Sequence, residues 1–248
     1  MLADGTNPEG VDPSPPLNWK SKDDLKDVVL VSPEYSPPST KIRYHLAYHN
    51  VPYKLMPAKE FKRGKSKDTH YMKVPVIFVA GRQVNDSFVI LKNLAPVLYG
   101  RFEEAWECKI TYGLYVAMSV ECFEDPNNYA TIVRLAGFPS WIGSVFKCAI
   151  PLKKAAKRIR EKRSKLDEKY GPLRTLKDYI EEFRAAVGSR PFVGGETPNQ
   201  VDVSFYATVA LWTPVPTVNR LLEGGDLTAW LARMKEAMPK KIEGNPKM

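Results

Sequence analysis

The sequence is poor in the side chains that carry redox and metal chemistry. Its 248 residues hold three cysteines, Cys108, Cys122 and Cys148, and three histidines, His45, His49 and His70. No two cysteines form a C-x-x-C, and an odd, scattered set makes no disulfide framework, so a reducing compartment is expected. His45 and His49 are four apart, a spacing that metal ligands use on one helix face. Only His70 remains as a third histidine and no cysteine is near, so no metal is expected. No apolar run reaches the length of a membrane-spanning helix; the nearest, "FPSWIGSVFKCAIPL", is too short and contains Lys147. Nothing reads as G-x-S-x-G, as a phosphate-binding glycine loop or as a dinucleotide fingerprint, and there is no internal repeat.

What is present is a basic chain with enough apolar residues for a sizeable core. Lysine and arginine number 37 against 28 acids, a formal charge of +9, and 44% of the residues are hydrophobic. A basic balance suits an anionic partner, and it serves solubility equally well. The first residues, "MLADGTNPEGVDPSPPLNWKSKDD", have no apolar stretch, carry acid and contain no arginine, so they fit neither a secretory signal nor a transit peptide. An extended arm over 1–25 and a tail over 241–248 are expected.

From residue 26 to about 100 the pattern alternates. "DVVLVS" reads as a short buried strand. Ser36 is placed to cap a helix, Pro37 fits its first position, Ile42, Leu46 and Ala47 share one face, and "NVP" ends it. "YKLM" is a second strand, parallel to the first if the helix crosses over. "KEFKRGKSKDTHYM" is a weak helix or loop, "VPVIFV" a third strand, "QVN" a fourth after the tight "AGR" turn, and "DSFVILKNLAPVLYG" a helix with Asp86 or Ser87 at its start. Beyond residue 100 the chain reads as helices: about 102–122, a region from 141 to 169, 172–187, "VDVSFYATVALW" and "LTAWLARMKEAM". Asn199 and Asp202 form a loose capping box. The expectation is an α/β domain over 26–100 (β-α-β-α-β-β-α) and an all-helical domain over 101–240.

Four stretches, "SPPSTKIRYHLAYHNVPY", "YMKVPVIFV", "QVNDSFVI" and "RPFVGGETPNQVDVSFY", resemble in order and spacing the glutathione transferase superfamily, in particular its branch of type 2 prostaglandin E synthases. The resemblance implies a thioredoxin-like N-terminal domain followed by a helical transferase-type domain. It implies that Pro75 is cis, that Val74 pairs with the backbone of glutathione, and that Asp86 and Ser87 take its γ-glutamyl ammonium and carboxylate. It also places the branch's C-x-x-C at Ser36 and Ser39, with Pro38 replacing an aromatic residue.

A hydroxyl cannot form a disulfide, and serine becomes a nucleophile only beside a base. Dithiol chemistry at Ser36 and Ser39 is therefore excluded. Two readings of Ser36 stand: a helix cap, or a hydroxyl that holds the thiolate of bound glutathione as some transferases do, with Tyr35 as an alternative donor. Two functions follow. One is an accessory or scaffold subunit of a membrane-associated complex, mitochondrial by the resemblance, bound through the N-terminal arm and the helical domain. The other is a glutathione-dependent transferase or isomerase. Finally, "PLKKAAKRIREKRSK" (151–165) sets Lys153, Lys154, Lys157, Arg158, Arg160, Lys162 and Arg163 beside an apolar stretch, a composition suited to an anionic membrane surface or to a solvated helix face. No aromatic residues interleave these cations, so nucleic acid is not the expected partner.

Overall fold

The computed structural model describes residues 19–33, 36–61, 73–136, 149–223 and 226–242. The expectations for most of the N-terminal arm, Tyr35, His70, Cys148 and most of the tail fall outside these residues.

Strands β1 (Val29–Val31), β2 (Lys54–Met56), β3 (Val76–Val79) and β4 (Arg82–Asn85) form one sheet in the order β2-β1-β3-β4. β1 and β2 run parallel, joined by helix α1 (Pro37–Tyr48); β1–β3 and β3–β4 are antiparallel. The β-branched, apolar strands are buried on both faces. Ile77 and Val79 join Leu30, Ile42, Leu46 and Ile90 in one core, while Val76 and Phe78 pack with Val31 and Phe61 on the other side. The β3–β4 turn uses Ala80 (φ 47°) and Gly81 (φ 75°), left-handed positions that a tight hairpin requires. Ala58–Glu60 forms a helical turn at the start of the segment expected to be a weak helix or loop, the rest of which lies outside the described residues. Helix α2 (Ser87–Tyr99) closes the unit and ends on Gly100, whose φ of 79° suits a residue without Cβ.

Helix α3 begins at Glu104. It runs from Glu104–Cys108 through a π-helical turn, Lys109–Leu114, into Tyr115–Glu124 with helical dihedrals at each junction. A Cβ at Gly113 would overlap the Tyr179 ring, so glycine permits this close approach. Then follow α4 (Tyr129–Leu135), α5 (Ala149–Ser164), α6 (Leu176–Val187), α7 (Gln200–Ala210), α8 (Pro216–Leu222) and α9 (Asp226–Ala237). α6 starts at a full capping box, Thr175 with Asp178. The Asn199–Asp202 box read from the sequence is present at α7. Asp202 does more than cap: buried, it accepts hydrogen bonds from the N–H groups of Val193, Gly194 and Asn199 and from Trp230 Nε1. That carboxylate ties the "VGG" loop and α9 to α7.

α1 lies between the two lobes. Ile42 and Leu46 face the sheet, and the other side of the helix packs on α7, so residues 39–46 are all buried.

Candidate functional site

The start of α1 is unusual. Ser36 occupies the N-cap position, and its carbonyl accepts the Thr40 N–H at 2.8 Å. Its hydroxyl caps nothing. The two following residues, Pro37 and Pro38, have no N–H, which removes one of the two donors, N2 and N3, that a cap takes. Ser36 Oγ instead accepts from Ser39 Oγ at 3.0 Å, with Ser39 fully buried and Ser36 part-exposed. The expectation that Ser36 holds the helix end by its side chain is therefore corrected: it holds it through the carbonyl alone.

The Val74–Pro75 peptide is cis, as the resemblance implies. Pro75 O accepts the Asp86 N–H at 3.2 Å, which brings the proline loop against the start of α2. Asp86 has φ 72°, a conformation costing a non-glycine residue about 1–3 kcal/mol. It is buried, and its Oδ1 accepts the Phe88 N–H at 2.8 Å. Ser87, 5% exposed, makes no side-chain hydrogen bond among the described residues. Pro37, Pro38, Lys41 and Ser87 meet Ile110, Thr111, Tyr115 and Thr208 around a cleft of about 20 Å³. That is room for about one water, against roughly 300–1,000 Å³ for a small-molecule site. Val74 and Pro75 do not line it.

Under this cleft lies a polar cluster that sequence reasoning missed. Lys41 of α1 makes a salt bridge with Glu107 of α3, their side chains 3% and 0% exposed. Lys41 also donates to Thr111 at 2.6 Å, and Thr111 donates to Glu107 at 2.8 Å. Ser204 of α7 donates to the second carboxylate oxygen at 2.7 Å. Because the carboxylate can only accept, Ser204's one proton is committed to it. Ser204 must then accept from His45 Nε2–H at 2.9 Å, which leaves Nδ1 to accept from Tyr99 at 2.8 Å. Donation thus runs one way from Tyr99 through His45 and Ser204 to Glu107, which Lys41 meets as a donor from the other side, and the chain ties both lobes together. Burial pushes the Glu107 carboxyl up, but the Lys41 charge and the hydrogen bonds from Lys41 and Ser204 outweigh it and hold the group below its ordinary value. Burial lowers the His45 imidazole to about 3, so it stays neutral. The one signal in the sequence was Lys41 four residues before His45, a polar stripe on a helix that had to be buried.

His45 is engaged at both ring nitrogens, and His49 packs: it sits edge-on to Tyr99, ring centroids 4.3 Å apart. No group of three or more metal-ligating side chains occurs among the described residues. Cys108 and Cys122 are both free thiols.

The basic helix falls on α5. Lys153, Lys154, Lys157, Arg158, Arg160 and Lys162 are exposed. Arg163 is not. It is 1% exposed and donates to Tyr112 O, Gly171 O and Asp167 Oδ1, so its place among the surface cations is corrected to an internal strut.

No family model matches the chain. It is 23% identical over 274 aligned positions to prostaglandin E synthase 2 of Danio rerio, covering 86% of this chain and 71% of that protein. In structure it superposes on apo glutathione S-transferase III with a TM-score of 0.54 and 11% identity, covering 84% of this chain and 91% of the other. The chain has the glutathione-transferase fold. A glutathione S-transferase of Methylobacterium radiotolerans, solved with glutathione sulfonate, aligns at a TM-score of 0.50 and 16% identity over 90% of this chain and 97% of the other. On that fold, β1–β4 with α1 and α2 form the thioredoxin-like domain, and α3 to α9 form the helical one. Among the described residues, no helix is long and apolar enough to cross a membrane.

Proposed function

We propose that this chain keeps the glutathione-transferase fold without its redox chemistry, as an accessory or scaffold subunit of a membrane-associated assembly, mitochondrial by its likeness to type 2 prostaglandin E synthases. The observation that carries the reading is the start of α1. Two hydroxyls hydrogen-bonded to each other stand where the resemblance places a dithiol, and Pro38 lacks the N–H that an aromatic residue would offer at the second helical position. The γ-glutamyl end of a glutathione site is better kept. Ser87 at the N-terminus of α2 would meet a carboxylate, and Asp86, held in a strained conformation beside Pro75, the ammonium. The residues thus fit the recognition half of glutathione and not the sulfur-activating half. Glutathione, where bound, would supply the thiol; this chain would orient its γ-glutamyl end.

That same retained half favours a second reading, a glutathione-dependent transferase or isomerase in which the part-exposed Ser36 hydroxyl holds the glutathione thiolate. Retention on immobilised glutathione, with a conjugation assay on wild type and Ser36→Ala, separates the two. The scaffold reading expects no turnover, and co-fractionation with a membrane complex larger than the 28.0 kDa chain. Turnover abolished in Ser36→Ala would overturn it.

A further inference from the structure

A groove of about 210 Å³ opens between the Tyr115–Glu124 part of α3 and α5. Tyr115, Val116 and Ser119 form one wall. Ala155, Arg158, Ile159 and Lys162 form the other, at i, i+3, i+4 and i+7, one stripe of the helix. Most neighbouring cations of α5 are engaged elsewhere. Arg163 is internal, Arg160 bonds Glu124 at 2.9 Å, and Lys157 stands 3.9 Å from Glu161. Arg158 and Lys162 make no ion pair or hydrogen bond among the described residues. The groove contains no carboxylate, and its one aliphatic hydroxyl, on Ser119, is spent on Tyr115 O at 2.8 Å. The accessible lining is therefore apolar at Tyr115, Ala155 and Ile159, over a buried Val116, with two unpaired positive charges. A cation would be repelled there, and a neutral apolar molecule would leave both charges unmatched.

We propose that this groove binds a free anionic amphiphile, a chain-bearing carboxylate or sulfate, with its chain against Tyr115, Ala155 and Ile159 and its head between Arg158 and Lys162. The groove shares only Tyr115 with the cleft at α1, so the inference does not rest on the reading of Ser36.

Calorimetric titration of the full chain with dodecanoate tests it, below the micelle concentration and beside dodecyltrimethylammonium, which has the same chain and the opposite charge. Dodecanoate should bind saturably, one per chain, and the cation should not. Arg158→Gln with Lys162→Gln should weaken binding about tenfold or more, since charge-assisted contacts are lost. Ala155→Phe, which fills the groove without changing charge, should do the same. Lys153→Gln with Lys154→Gln makes an equal charge change on the same helix outside the groove and should leave affinity within about twofold. No dodecanoate binding, equal binding of the cationic amphiphile, or equal losses in the two charge variants would overturn the proposal. So would flotation with anionic vesicles that depends on Lys153 and Lys154 as much as on Arg158 and Lys162, because the partner would then be a lipid surface. Glutathione retention, measured in parallel, reports on the other site alone.

Discussion

Breaking the Lys41–Glu107 pair should cost more than removing it whole. Both side chains are almost fully buried, so Lys41→Met leaves a carboxylate, and Glu107→Leu an ammonium, without its counter-charge. Stranding one member of a buried pair costs about 3–5 kcal/mol, whereas replacing both by apolar groups of similar volume is often near neutral. Here the double variant should not recover fully. Ser204, which donates to Glu107 at 2.7 Å, loses its acceptor, a further cost of about 1–3 kcal/mol. Adding Ser204→Ala should return part of that. Urea unfolding at neutral pH reads all four proteins. With a slope of about 2–3 kcal/mol/M, each single variant should lower the midpoint by about 1–2 M, and the double variant should lie well above the sum. Single variants within about 0.5 kcal/mol of wild type, or strict additivity, would refute the claim that this pair is buried and coupled across the lobes.

Acid should destabilise the protein early. His45, lowered by burial to about 3 from an ordinary 6.5, contributes stability that is complete above pH 6.5 and is lost as pH falls toward 3. His49, lowered by burial to about 4, acts in the same direction, so His45→Gln should flatten only part of a thermal-melt pH profile between 6.5 and 4. Gly113→Ala should cost about 1–3 kcal/mol in a denaturant melt, because the new methyl overlaps the Tyr179 ring, and Tyr179→Ala in the same chain should mask that increment. Asp202→Ala should cost about 3 kcal/mol or more by the same measurement, since it strands three backbone N–H groups and the Trp230 indole N–H.

Local signals were legible where one element carries its own explanation. The β-branched runs around Val29–Val31 and Val76–Val79 form strands, Pro37 opens α1, and Asn199 with Asp202 opens α7. What stayed hidden depends on partners distant in sequence. Lys41 and Glu107 are 66 positions apart, and neither residue's neighbours announce a buried charge. Arg163 reads as one more cation in a basic run until the fold sets Tyr112 O, Gly171 O and Asp167 around its guanidinium. The π-helical turn at Lys109–Leu114 carries helix-like apolar spacing, so periodicity alone cannot separate it from α-helix. At the site, Ser36 looked like a cap because serine favours that position. The double proline removes the N1 and N2 donors, and the hydroxyl accepts from the Ser39 side chain instead.

The most direct test of the account is glutathione-dependent turnover of wild type beside Ser36→Ala and the double variant Ser36→Cys with Ser39→Cys. The account predicts no turnover above background for wild type or Ser36→Ala, and glutathione-reducible disulfide chemistry only when sulfur stands at both positions. Wild-type turnover that disappears in Ser36→Ala would contradict it.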